Sequence, residues 1–116
     1  MSKARDIKLG AELRKRREAK DVSLRAFAEK IGIKPTYLSR VENGLIPASE
    51  KIVVKAAKVL GDDPDELFLH AERVTERMCK IAGKYPKAFA DLFHHLENQP
   101  ENAIFRVIRE VRDGKW

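Results

Sequence analysis

The sequence is poor in most of the groups that chemistry requires. Its 116 residues include one cysteine, Cys79, which excludes an internal disulfide and fits a reducing cytoplasm. The histidines offer no metal-ligand spacing: His94 and His95 are adjacent and so point to different helix faces, and His70 stands apart from Cys79. Solvated histidines and a buried thiol are the simpler expectation, with no metal and no cofactor. No Gly-rich phosphate loop and no nucleophile–base constellation is present, so the chain reads as a non-enzyme. No apolar run approaches a membrane span of ~20 residues. Met1 to Asp6 is polar, unlike a signal peptide. These absences imply a cytoplasmic protein without a membrane partner. No segment alternates with strand period, so the expected fold class is all-α.

Charge is abundant but unevenly placed. Through Gly61 there are 15 basic and 7 acidic residues, a net of +8, whereas from Asp62 onward there are 9 and 11, a net of −2. A basic half joined to a slightly acidic half implies that only the first meets a polyanion.

Helical periodicity then divides the chain. The first helix is expected from an Asp6 cap to about Ala19, with Leu9 and Leu13 inward and the cationic run Arg14 to Arg17 behind them. Ser23 caps a second helix, Leu24 to Ile31, with Leu24, Phe27, Ala28 and Ile31 on one face; Ala26 stands where a capping box has Glu. Gly32 precedes a third helix read over Ile33 to Asn43, with Pro35 in its first turn and Asn43-Gly44 as its stop. Two short helices joined by a Gly-containing turn form a helix-turn-helix, and that points to DNA. Gly44 to Ala48 is a loop, and Ser49 caps a fourth helix with Ile52, Ala56, Val59 and Leu60 on one face. Asp63-Pro64-Asp65-Glu66 starts a fifth.

On these residues the segment from Leu9 to Leu69 resembles the helix-turn-helix domain of the Cro/phage-repressor (Xre) family of bacterial and phage transcriptional regulators. The resemblance is carried by Leu24, Phe27-Ala28 and Ile31-Gly32-Ile33, then Tyr37-Leu38-Ser39, Val41-Glu42-Asn43-Gly44, then Pro47 and Ser49. It implies that the third helix lies in the major groove, where base edges present a donor and acceptor code. By position the implied base readers are Lys34, Pro35, Thr36, Ser39 and Arg40. Arg40 is the strongest, because its planar fork matches O6 and N7 of guanine. Implied phosphate ligands are Ser23 and Arg25 at the second helix, Tyr37, and Asn43, Ser49 and Lys51 around the following loop. The resemblance further implies a structural ion pair of Arg17 with Glu42. Two positions depart from the family pattern. Lys34 replaces a common Ser or Thr cap, and Leu45-Ile46 replaces residues that are polar or basic in many relatives.

Beyond His70 the pattern changes. One helix is expected through Val74, Met78 and Ile81 to Gly83, another after Tyr85-Pro86, and a last one after a break at Asn98-Gln99-Pro100, stopped at Gly114. Phe89, Leu92, Phe93, Leu96, Ile104, Phe105 and Ile108 form a stripe too apolar to leave in water and too short to close a core alone. The expected organisation is a helix-turn-helix DNA-binding domain over residues 1–70 and a helical dimerisation region over 71–116. The expected function is repression by a homodimer on an inverted-repeat operator. An antitoxin whose C-terminal helices bind a protein partner, with DNA binding for autoregulation, is the alternative.

Overall fold

A computed structural model describes residues 2–114. Eight helices follow in order: α1 Ser2–Ala19, α2 Leu24–Ile31, α3 Pro35–Glu42, α4 Glu50–Leu60, α5 Pro64–His70, α6 Glu76–Lys84, α7 Pro86–Leu96 and α8 Glu101–Asp113. The described residues contain no strand. The chain divides into two compact units, the first reaching Glu76 and the second beginning at Arg77.

In the first unit, α1 to α5 close around one core. Leu9 and Leu13 of α1, Phe27 and Ile31 of α2, Leu38 and Val41 of α3, Val53 and Leu60 of α4, and Leu67 and Phe68 of α5 are all buried. Each such side chain contributes roughly 1.5–3 kcal/mol by leaving water. The buried face of α4 is Val53, Ala56, Ala57 and Leu60, rotated from the face expected; Ile52 and Val59 lie only half-buried at its edge.

Several boundaries differ from the sequence expectation for identifiable reasons. α1 begins at Ser2, so Asp6 is an interior helical residue and not a cap. Lys3, Ala4 and Arg5 are good helix formers and carry the helix upstream of the Asp signal. α3 begins at Pro35, two residues late, with Lys34 extended at φ −73° and ψ 143°. Proline disfavours the helical conformation in the residue before it. The single helix expected from His70 to Gly83 is broken. Glu72 adopts a left-handed φ of 59°, its N–H donates to Leu69 O (2.9 Å), and the Arg73 N–H reaches back to Phe68 O (2.8 Å). Ala71 within this turn and Thr75 beyond it are buried, which carries the first unit past the boundary expected after His70. Gly83 lies within α6 and does not end it.

The second unit has a different balance. No residue of α6, α7 or α8 is buried. Cys79, expected to be buried, is exposed for the same reason. Phe89 and Phe93 meet with ring centroids 6.0 Å apart, yet Phe93 remains 57% exposed and Phe105 53%. No described helix is long and apolar enough to cross a membrane.

Candidate nucleic-acid interface

The turn between α2 and α3 is built from local chemistry. Ser23 Oγ accepts the Ala26 N–H at 3.1 Å and opens α2. At its end Gly32 takes φ 87°, and the N–H groups of Gly32 and Ile33 return to Glu29 O and Ala28 O. This double closure satisfies two terminal carbonyls and sets the chain off in a new direction. Phe27, Ala28 and Ile31 bury one side of α2; Leu38, Val41 and Glu42 bury one side of α3. α3 has no side-chain cap, since Lys34 supplies no acceptor.

The opposite side of α3 is polar and open. Pro35, Thr36 and Arg40 are exposed, Ser39 is half-buried, and Lys34 is exposed just ahead of them. Asn43, at the end of the helix, donates from Nδ2 to Ser39 O at 2.9 Å. Tyr37 is half-buried against the core. Ser49 Oγ accepts the Ile52 N–H at 3.2 Å as the cap of α4, so Ser23 and Ser49 each keep one hydroxyl proton to donate. Arg25 and Lys51 are exposed. Leu45 is 72% exposed, whereas Ile46 packs on the core.

Behind this surface lies a buried ion pair. Arg17 donates from Nε to Glu42 Oε2 at 2.8 Å and from Nη2 to Oε1 at 3.0 Å, and its Nη1 reaches Val22 O at 2.8 Å. The bonds to Glu42 raise the Arg17 pKa above its ordinary value despite burial. This bidentate contact ties α1 to the last turn of α3 and, through Val22, to the start of α2.

Two features of the scaffold escaped the sequence reading. Gly10, in mid-helix, lets α1 touch the α3 backbone: a Cβ there would overlap the Val41 carbonyl oxygen and lie 2.9 Å from that of Glu42. Its signal was a glycine inside a helical pattern. The second is a charge cluster on the far side of α1. Arg16 donates to Glu12 (2.7 Å), Asp62 (3.3 Å) and both Glu66 oxygens (2.7 and 2.8 Å), which holds Glu66 below the usual carboxylate range. Glu66, part of the start signal of α5, binds α1, and the Asp63 side chain caps α5 through the Asp65 N–H.

Residues 8–68 match the family model described as a helix-turn-helix domain. The chain belongs to that family. The helix-turn-helix unit is 37% identical over 62 residues to HTH-type transcriptional regulators of two strains of Mycobacterium tuberculosis. That match covers 53% of this chain and 44% of theirs, so the chain spans less than half the length of these relatives. Among solved structures it is similar to the clp gene regulator ClgR of Corynebacterium glutamicum. One crystal structure gives a TM-score of 0.55 at 32% identity, covering 59% of this chain and 88% of that one. Another gives 0.56 at 27% identity, covering 82% and 96%.

Proposed function

We propose that the chain is a sequence-specific double-stranded DNA-binding transcription regulator of the Cro/phage-repressor type, acting as a repressor. The observation that carries this reading is the exposed polar face of α3, held rigidly by the Arg17–Glu42 pair and the core beneath it. Such a face suits the major groove, where Arg40 reads guanine, Thr36 offers a hydroxyl or methyl group, and Ser39, Pro35 and Lys34 line the rest. Ser23, Arg25, Tyr37, Asn43, Ser49 and Lys51 hold phosphates on either side. The names of the Mycobacterium and Corynebacterium relatives, all regulators, support the same class.

The regulator works as a homodimer on an inverted repeat. A single unit covers little DNA, and two units place two recognition helices about one turn, roughly 34 Å, apart or a multiple of it. The open apolar residues of α7 and α8 supply the contact between copies. Selection of bound duplexes from random sequence tests the whole proposal. An inverted repeat should emerge, and affinity for it should fall with salt at a log–log slope of roughly −7 to −11 for a dimer. A slope near zero would defeat it.

A further inference from the structure

The loop from Gly44 to Ser49 carries no charged side chain; on either side of it stand the cations Arg40 and Lys51 and the carboxylates Glu42, which is paired with Arg17, and Glu50. Tertiary structure brings charge to it from elsewhere. A cleft beside the loop is lined by Arg5, Asp6, Pro47, Arg73 and Val74. Arg73 is fixed there: its Nη1 donates to Ala48 O at 3.2 Å, and its guanidinium lies 5.2 Å from the Phe68 ring centroid. Arg5, from α1, is exposed. The opposing charges are few. Asp6 is the carboxylate in the cleft, and the neighbouring Glu72, which feels Arg5, is already bonded by Lys8. Two guanidinium groups against one carboxylate leave an excess of positive charge, and their planar forks match phosphate oxygens.

We infer that this cleft binds one backbone phosphate of the DNA, with Arg73 as its fixed wall and Arg5 as the arm that closes on the anion. The inference rests on the DNA-binding reading and extends it to α1 and to the turn after α5. These elements supply beside the loop the cations that Leu45 and Ile46 do not.

The test uses the full chain, a selected duplex and a random duplex of equal length. Arg5→Ala should weaken both alike and reduce the salt slope by about one per subunit. Arg5→Lys should restore most of the slope. Ethylation of individual phosphates should show one position that impairs the wild-type chain and is indifferent for Arg5→Ala. An unchanged slope in Arg5→Ala, with wild-type binding intact, overturns the assignment and leaves the DNA-binding reading standing. Wild-type binding with no salt dependence, or none at all, removes both. Inorganic phosphate that raises the unfolding temperature of wild type but not of Arg5→Ala, with the slopes equal, would assign the cleft to a free anion and overturn the DNA contact.

Discussion

Arg40 and Lys51 are both exposed cations, and charge alone does not distinguish them. Position does. Arg40 projects from α3, the proposed recognition helix, and a guanidinium paired with a base edge discriminates by about 1–3 kcal/mol. Arg40→Ala should therefore lose that much specific affinity per half-site and relax preference at one base pair. Lys51→Ala and Arg25→Ala should weaken all sequences equally and flatten the salt slope. Competition titrations against single-base operator variants separate the two; an Arg40→Ala profile parallel to that of Lys51→Ala would make Arg40 a phosphate ligand. Glu42 belongs to another class. Its carboxylate is 4% exposed and bonded twice to Arg17. Glu42→Ala strands a buried guanidinium and should cost about 3–5 kcal/mol. Urea unfolding of Glu42→Ala beside an Arg17→Met/Glu42→Leu double variant checks the cause, since the double variant should recover much of the loss.

At the scale of the element, the sign of one substitution depends on what a helix touches. Gly10 and Gly83 both lie inside helices, α1 and α6. By propensity alone each should gain roughly 0.5–1 kcal/mol on replacement by alanine. Around Gly83 an added Cβ meets nothing within 4 Å, so Gly83→Ala should be stabilising by about that amount. At Gly10 the same methyl overlaps the α3 backbone, which does not yield as a flexible side chain does. Gly10→Ala should push α1 and α3 apart, cost about 1–3 kcal/mol, and disturb the Arg17–Glu42 bonds two turns on. Thermal unfolding of the two variants should move in opposite directions.

For the whole molecule, the decisive contrast is between a unit with a closed core and one without. The first unit buries side chains from all five of its helices; its core reaches Ala71, and Thr75 is buried beyond it. A cut after His70 would remove both, so the appropriate truncation ends at Glu76. That fragment should fold, remain monomeric and bind DNA weakly and with little specificity. The full chain should sediment as a dimer through the stripe of Phe89, Leu92, Phe93, Leu96, Ile104, Phe105 and Ile108, of which Phe89 and Leu96 are half-buried and the rest exposed. A monomeric full chain, or a fragment that still dimerises, would defeat the proposed assembly.

The all-helical class, the cores of α2 and α3 and the caps at Ser23 and Ser49 were legible in the sequence. They depend on interactions within a few residues: apolar spacing at i, i+3 and i+4, a hydroxyl three residues before an N–H, a glycine where the chain must turn left-handed. The polar face of α3 was legible for the same reason, because a helix whose core side is known has its other side known too. What tertiary structure decided lies where distant segments meet. Glu66 read only as part of the start signal of α5, yet Arg16 lies within 2.7 Å of it. Glu72, with no glycine to announce it, stops α5 in a left-handed turn beside Lys8. Arg5 and Arg73, some seventy residues apart, come to line one cleft by a neutral loop. No local rule encodes such meetings, since their free energy comes from closing the shared core and not from the propensities of the residues that touch.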